Sequence, residues 1–262
     1  MGRSQMNHAD AGSRSQTLVI LGATGAVGSS LSRRLKGAGH DVFLAGRNPQ
    51  VLRDLSEELS APALELDVLE PGSIERTIQS ACETFDHIDG VVNCIGSVLL
   101  KPAHLTGDEE WSEVLAVNLT SAFETVRSAA KVLGRQGGSV VLISSAAARV
   151  GLANHEAIAA AQAGVIGLTL SAAASYAGRG IRVNAVAPGL VKSNMTRNLW
   201  ESAAAESMSS SLHALNRLGE PEQVASMIEW LLHPANDWVT GQVFGVDGGL
   251  ATVIPRSRQK SG

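Results

Sequence analysis

The sequence predicts an α/β fold in a single domain, with a doubly wound parallel sheet and helices on both of its faces. Short aliphatic runs alternate with longer stretches of helical period along the whole chain, which is the pattern of such folds. The length of 262 residues fits one large domain, and no internal repeat or low-complexity linker divides it. The apolar fraction of 44% is enough for a sizeable core.

The order of the elements follows from the spacing of the apolar residues. Strands are predicted at short aliphatic runs, which cover residues 17–21, 41–45, 63–67, 90–93, 139–144, 182–187 and 243–247. Helices are predicted where apolar residues recur every three or four positions, at residues 26–37, 49–59, 73–85, 108–133, 157–178 and 221–232.

The segments outside this alternation are expected to lie at the surface. Residues 1–16 are polar, have no apolar core of the signal-peptide kind and are predicted to be a disordered leader to a domain at 17–253. Residues 254–262 form a short, solvated basic tail. Segment 193–216 is rich in serine and alanine, and it fits either a substrate lid beside a strand end or a plain pair of surface helices.

Charge and composition exclude several classes of partner. The formal net charge of −4 provides no basic surface for nucleic acid or for an anionic membrane. Cys82 and Cys94 lack metal-ligand spacing, which favours buried free thiols in a reducing compartment, the cytoplasm. The most apolar stretch, 157–177, is interrupted by Gln162 and by glycines, so a buried helix is expected there and no membrane span.

A glycine-rich loop after the first strand predicts a dinucleotide-binding site. Glycine permits a tight turn, close approach of the backbone to a pyrophosphate and close contact between helix and strand, while the following helix N-terminus presents free N–H groups. A purely structural turn is the alternative. The loop residues predicted to bind cofactor are Gly22, Thr24, Gly25, Ala26, Val27 and Gly28.

The end of the second strand indicates which dinucleotide is preferred. Gly46 supplies no carboxylate to accept ribose hydroxyls, whereas Arg47 supplies a permanently charged donor that suits a 2′-phosphate. NADP(H) is therefore favoured over NAD(H), unless Arg47 is an ordinary surface arginine.

These motifs and several later ones resemble the short-chain dehydrogenase/reductase family, and the resemblance extends from Thr17 to Val253. It implies a Rossmann-type fold. The spacing of the loop glycines is similar to that of the family's extended branch, since the common branch would have glycine at Ala26, while residues 217–221 and 246–249 resemble the C-terminal signature of the common branch. The positions that the resemblance adds to the cofactor site are Asp67 and Val68 at the adenine, Asn93 and Gly96 in the turn after the fourth strand, and Pro188, Gly189, Val191 and Ser193 in the segment that holds the nicotinamide.

Two of the family's four catalytic positions keep their usual residue. Asn118 matches the helix asparagine that anchors a proton-relay water, and Ser145 matches the serine that hydrogen-bonds the substrate carbonyl. Ile158 and Gln162 stand where the family has the tyrosine and lysine of Tyr-x-x-x-Lys, and the single tyrosine is Tyr176. In the family, tyrosine transfers the hydroxyl proton while a hydride passes between nicotinamide and carbonyl. Isoleucine cannot do so, whereas glutamine can hydrogen-bond a ribose hydroxyl without bringing charge.

His155 is a candidate substitute acid. His155, Ile158 and Gln162 are spaced to share one helical face, and histidine titrates near neutral pH. The alternative is that His155 is incidental, with Asn154 capping the helix and Glu156 complementing the helix dipole.

Three functions remain open at this point. The leading hypothesis is a cytoplasmic, NADP(H)-binding oxidoreductase that acts on a small carbonyl, alkene or quinone-like substrate through Ser145, Asn118 and His155. A second is a catalytically silent subunit that senses NADPH or joins an active paralogue in a hetero-oligomer. A third is a non-redox cyclase, dehydratase or isomerase. The resemblance implies a homodimer or homotetramer.

Overall fold

Seven parallel strands form one sheet at the centre of the molecule, a computed structural model that describes residues 15–134 and 136–255. The strands are β1 Thr17–Leu21, β2 Asp41–Gly46, β3 Ala63–Glu65, β4 Gly90–Asn93, β5 Gly138–Ile143, β6 Ile181–Pro188 and β7 Val243–Val246. The strand order is β3-β2-β1-β4-β5-β6-β7, so the direction in which the sheet grows reverses between β1 and β4. In open parallel sheets, ligands bind at such a switch point, beside the carboxyl ends of the strands.

Helices cover both faces of the sheet, which confirms the predicted doubly wound architecture. The helices are α1 Ala26–Gly37, α2 Pro49–Leu59, α3 Ser73–Phe85, α4 Asp108–Leu115, α5 Ser121–Val132, α6 Glu156–Tyr176, α7 Ala203–Ser211 and α8 Pro221–Leu232. The core on one face is built with α3, α5 and α6, and the core on the other with α1, α2 and α8.

The helix predicted over residues 108–133 is interrupted. A π-helical turn, Ala116–Thr120, separates α4 from α5 and contains Asn118. The side-chain amide of Asn118 donates to the Val114 carbonyl at 2.9 Å, inside the turn that precedes it. A side chain inserted in this way disturbs the regular ladder of backbone hydrogen bonds. The prediction of one continuous helix was therefore wrong at this point.

The boundary predicted at Thr17 lies too late in the chain. Gln16 is buried, and its side-chain amide donates to the Leu232 carbonyl at 3.3 Å, at the end of α8. Ser15 also contacts the domain through a hydrogen bond to the Gly39 carbonyl. The remainder of the predicted leader, residues 1–14, and the tail from 256 onward lie outside the described residues.

The helix α6 is long and apolar enough to cross a membrane by length and composition alone. Its buried residues include Val165, Ala172 and Ala173, which belong to the core between the sheet and the helices. This packing is that of a core helix, as the sequence predicts.

The two edge strands of the sheet are very short: β3 has three residues and β7 has four.

Candidate active site

One cavity of about 590 Å³ lies at the carboxyl ends of β1, β4, β5 and β6. Because all the strands are parallel, the loops that follow them meet along the same edge of the sheet. The cavity is lined by four groups: the glycine-rich loop at Thr24, Gly25, Ala26, Val27 and Ser29; the turn after β4 at Cys94, Ile95, Gly96, Ser97 and Val98; Asn118, Ile143, Ser144, Ser145, Ile158 and Gln162; and the segment after β6 at Pro188, Gly189, Val191, Lys192, Ser193, Asn194, Met195, Thr196 and Trp200.

Two glycines of the loop are fixed by close backbone contacts. A Cβ atom at Gly22 would lie 2.8 Å from the carbonyl carbon of Cys94, and Gly22 also has a φ of +81°. A Cβ atom at Gly28 would lie 2.2 Å from the Gly22 oxygen. No larger residue fits at either position without movement of backbone. The loop is thus held close to the neighbouring strand, and the N-terminus of α1 opens toward the cavity, an arrangement that fits a pyrophosphate.

The space beside the loop explains why β2 ends in glycine. A Cβ atom at Gly46 would lie 2.7 Å from both the methyl and the hydroxyl of Thr24. A carboxylate at this position therefore conflicts with Thr24, which itself lines the cavity. The next residue, Arg47, is exposed. Within the described part of the chain, its guanidinium has no carboxylate partner.

Two predicted cofactor residues shape loops and do not line the cavity. Asn93 is buried, accepts from the Ile95 backbone at 2.8 Å and donates to the Thr125 hydroxyl at 3.0 Å. Asp67 accepts from the Leu69 backbone at 2.9 Å, which fixes the turn after β3. Neighbouring Val68 packs against the core.

Asn118 is saturated with hydrogen bonds. Its oxygen accepts from the Ser97 backbone at 3.0 Å and from the Gln162 side-chain nitrogen at 3.2 Å. Its nitrogen donates to the Ser97 hydroxyl and to the Val114 carbonyl, both at 2.9 Å. An amide has two donors and two acceptor sites, so all four are in use. The Asn118 side chain therefore holds other residues of the cavity in place and has no site left for a water.

Ser144 and Ser145 have different roles in the cavity wall. Ser144 donates to the backbone oxygen of Gln162 at 2.9 Å and so ties β5 to α6. Ser145 begins a short 3₁₀ turn and accepts from the Ala147 backbone at 3.1 Å. Ile158 is buried in a small apolar cluster with Val114. This part of the wall thus presents the Ser145 hydroxyl beside the aliphatic side chain of Ile158.

Gln162 carries a buried polar atom without a partner. Its residue is 5% exposed, and its side-chain oxygen has no hydrogen-bond donor in the described structure. A buried acceptor of this kind costs about 1–3 kcal/mol unless it is satisfied. Because Gln162 lines the cavity, a ligand hydroxyl is a fitting donor.

The predicted lid segment covers residues 193–216, and the first half of this segment lies beside the cavity. The Thr196 hydroxyl donates to the Val191 carbonyl at 2.6 Å and accepts from the Trp200 indole at 3.2 Å. Lys192 forms an ion pair of 2.8 Å with Glu206 in α7. These contacts link α7 to the loop after β6, so residues of this segment form one wall of the cavity.

Two titratable groups are among the lining residues. Burial raises the pKa of the Cys94 thiol to about 12. The hydrogen bond to Glu206 raises the pKa of Lys192 above its ordinary value. Near neutral pH, Cys94 is therefore a neutral thiol and Lys192 a cation. Among the described residues, no cluster of histidine, cysteine and carboxylate side chains could hold a metal ion.

Comparison with known proteins identifies the family to which this chain belongs. The model of a protein family described as enoyl-(acyl carrier protein) reductase matches residues 22–251. The chain belongs to the short-chain dehydrogenase/reductase family. Within this family, it is 33% identical to a 3-oxoacyl-[acyl-carrier-protein] reductase of Thermotoga maritima over 240 residues, which are 88% of this chain and 96% of that protein. It is 32% identical to carbonyl reductase family member 4 of Xenopus laevis, across 90% of this chain and 98% of that protein.

Solved structures of short-chain dehydrogenases/reductases share the same fold. A dehydrogenase/reductase from Mycobacterium ulcerans superposes with a TM-score of 0.87 at 29% identity and covers 92% of this chain and 91% of its own. A variant of actinorhodin polyketide ketoreductase, solved with NADPH, gives a TM-score of 0.85 at 29% identity, with 91% of this chain and 98% of its own covered.

The structure places His155 differently from the sequence-based expectation. α6 begins at Glu156, and His155 precedes it with a non-helical backbone, so the face shared by residues 158 and 162 does not extend to it. The imidazole is hydrogen-bonded to the Ala153 carbonyl at 2.7 Å, and His155 is not among the residues that line the cavity. Asn154 is left-handed, with a φ of +64°, and does not cap the helix. The expected helical face shared by His155, Ile158 and Gln162 is therefore not found, and the alternative in which Asn154 caps the helix is wrong as well.

Most of the other predicted residues of this short-chain dehydrogenase/reductase meet at the cavity. Gly22, Gly28 and Asn93 lie behind its wall, while Arg47, Asp67 and Val68 lie farther along the sheet edge. Sequence reasoning missed Ser97, Thr196 and Trp200 as lining residues. The position of Ser97 directly after the predicted turn at Gly96, and the helical spacing of Thr196 and Trp200, are signals that could have indicated them.

Proposed function

We propose that this protein is a cytoplasmic NADP(H)-dependent oxidoreductase that reduces a small carbonyl, alkene or quinone-like compound. The observation that carries the proposal is the single cavity that joins the glycine-rich loop to Ser145, Ile158 and Gln162. A dinucleotide bound along the loop would supply hydride at the end of the cavity where these side chains lie. The free thiols Cys82 and Cys94 support a reducing compartment.

The choice of NADP(H) is supported by the end of β2. Thr24 fills the space that a carboxylate at position 46 would need, and the Arg47 guanidinium is exposed at the adjacent position. A planar, permanently charged donor suits a phosphate, whereas the missing carboxylate removes the usual partner of an unphosphorylated ribose. The structural relative solved with NADPH is consistent with this choice.

The proposed substrate class follows from Ile158 and Gln162, which stand where the family has its catalytic tyrosine and lysine. Ile158 cannot donate a proton, and Gln162 is neutral. General acid catalysis is typically worth about 10²–10⁴ in rate. A substrate that accepts hydride without simultaneous protonation loses least in such a site. Conjugated alkenes and quinone-like rings have this property, because their oxygen carries the developing charge by delocalisation.

We assign Ser145 to the substrate oxygen, Gln162 to the cofactor ribose and Asn118 to the positioning of Gln162. His155 remains a candidate acid only if residues 153–155 move toward the cavity. Abolished turnover in His155→Ala with unchanged NADPH affinity would support that role, and unchanged turnover would exclude it.

A catalytically silent subunit is the second candidate function. The outward face of α6 combines small residues with an exposed leucine: Ala163, Gly167, Leu170, Ser171 and Ala174. Such a face permits close packing of a helix from a second chain. A homodimer or homotetramer, or a hetero-oligomer with an active paralogue, would cover it.

Cofactor titration followed by an activity panel tests the proposal. NADPH and NADH are titrated by fluorescence or calorimetry, and NADPH oxidation is then followed with aldehydes, ketones, conjugated enones and quinones. The matched variant Ile158→Tyr/Gln162→Lys carries the family's usual pair.

Each result of this experiment has one meaning. NADPH binding with turnover of enones or quinones by the natural chain supports the oxidoreductase. Binding without turnover, together with carbonyl reduction by the double variant, supports the silent subunit. Absence of dinucleotide binding would contradict both functions.

A further inference from the structure

Two serine hydroxyls in the cavity share an unusual state of hydrogen bonding. The Ser97 oxygen accepts from the Asn118 side chain at 2.9 Å, and the Ser145 oxygen accepts from the Ala147 backbone at 3.1 Å. Neither hydroxyl donates to an acceptor within residues 15–134 and 136–255. Both residues line the cavity. Each hydroxyl therefore has its oxygen held from behind and its proton free for a ligand.

The protein holds these two serines on one connected framework. Ser97 is fixed twice by Asn118, through its backbone nitrogen and its hydroxyl. Asn118 is joined to Gln162 at 3.2 Å, and the backbone of Gln162 is joined to Ser144 at 2.9 Å. Ser144 is the chain neighbour of Ser145. Because Asn118 is saturated and buried, it acts as a positioning residue for Ser97 and does not itself reach a ligand.

The cavity that contains the two hydroxyls is partly apolar, and its titratable lining residues do not change charge near neutral pH. Ile95, Val98 and Ile158 line the same cavity. The two titratable lining residues, Cys94 and Lys192, both have raised pKa values. A hydrogen bond to a charged oxygen is stronger in such a setting than in water, and preorganised donors need no rearrangement as the charge develops.

We propose that Ser97 is a second catalytic hydroxyl which, together with Ser145, binds the substrate oxygen that becomes negatively charged during reduction. The two serines form an oxyanion site in place of an acid. This inference rests on the proposed oxidoreductase function and narrows its substrate class to compounds whose reduction passes through a stabilised oxyanion: conjugated enones, which form enolates, and quinones, which form phenolates.

The chemistry balances without an enzyme acid. A bound reduced nicotinamide would supply a hydride to the β-carbon of an enone, the end of the carbon–carbon double bond that is farther from the carbonyl. The electron pair of the carbon–carbon double bond moves through the conjugated system onto the oxygen, where Ser97 and Ser145 donate hydrogen bonds. A proton from solvent then completes the product, so that one hydride and one proton are added to the substrate and the nicotinamide is oxidised.

A binding experiment tests the oxyanion site independently of turnover. 4-Nitrophenol, whose phenolate absorbs at longer wavelength than the phenol, is titrated into the complex of the protein with NADP⁺. The natural chain should bind the phenolate preferentially and lower its apparent pKa. Ser97→Ala should weaken phenolate binding by about 10- to 100-fold, because it removes a hydrogen bond to a charged group. Ser97→Thr keeps the hydroxyl and should retain most of the affinity.

Kinetics supply the second readout. With an enone or quinone, Ser97→Ala should lower kcat by roughly 10²–10³, the typical effect of removing one oxyanion donor, while Ser97→Thr stays close to the natural chain. The kcat of the natural chain should be independent of pH between roughly pH 6 and 9, because no lining group changes its charge there.

The outcomes separate this inference from the function on which it rests. If the natural chain does not bind NADP⁺, the proposed function itself is contradicted. Intact NADP⁺ binding without preference for phenolate would overturn only the oxyanion site. Equal losses in Ser97→Ala and Ser97→Thr would also overturn it, since they would show that packing and not the hydroxyl is required.

Discussion

Replacing Asn118 with alanine should destabilise the fold and loosen the cavity at once. The substitution removes four hydrogen bonds of 2.9–3.2 Å from a residue that is 3% exposed. It leaves the Ser97 backbone nitrogen and the Gln162 amide nitrogen without acceptors. Each orphaned buried group costs about 1–3 kcal/mol, and water entering the vacated space offsets part of this. We expect a net loss of about 3 kcal/mol in the free energy of unfolding.

Urea denaturation gives this value directly, and thermal unfolding should show a lower Tm by roughly 2–4 °C per kcal/mol. Asn184→Ala is a matched control, since Asn184 is fully buried but makes only two side-chain hydrogen bonds, to Val239 and Gln242, at 2.9 and 3.0 Å. It should cost less and leave phenolate binding unchanged. A smaller loss in Asn118→Ala than in Asn184→Ala, or undisturbed ligand binding in Asn118→Ala, would refute the positioning role.

Three further predictions concern cofactor choice, thiol chemistry and assembly. Gly46→Asp, combined with Thr24→Ala to make room for the new side chain, should weaken NADPH at least tenfold relative to NADH in fluorescence titrations, with Thr24→Ala alone as control. Cys94, with a pKa near 12 against an ordinary 9.0, should react with iodoacetamide at pH 8 about 10³-fold more slowly than in the unfolded chain, as followed by mass spectrometry. Leu170→Glu places a charge on the exposed face of α6 and should yield monomers in light scattering; unchanged assembly would exclude this face as the interface.

The regular elements were predictable because local signals agree with the tertiary structure. Asn48 accepts from two backbone nitrogens at 3.1 Å and Pro49 follows it, so α2 begins where a cap and a proline indicate. The break at Asn118 has no such local signal, because the side chain that donates to Val114 is held in place by Ser97 and Gln162, which lie in other elements. Periodicity alone therefore predicts one helix where the molecule has two.

Site residues were predictable where backbone geometry dictates the residue type. Gly22 and Gly28 are required by contacts that no other residue permits, and such positions leave a clear pattern. Ser97 leaves only one signal, its position directly after the turn at Gly96, and a serine in a turn is ordinary until its partner is known. His155 shows where helical spacing misleads. The shared face of His155, Ile158 and Gln162 assumes a helix that includes residue 155, but α6 begins at Glu156 and the backbone of His155 is not helical.

The short edge strands bear on how this protein behaves at high concentration. An open sheet edge exposes unpaired backbone groups on which strands of other molecules can add, and long flat edges are the starting points of fibrils. With three residues in β3, of which Leu64 and Glu65 are exposed, and four in β7, little template is available on either side. Assembly between copies is thereby directed away from edge-to-edge strand addition and toward contacts between side chains, which can be specific and finite.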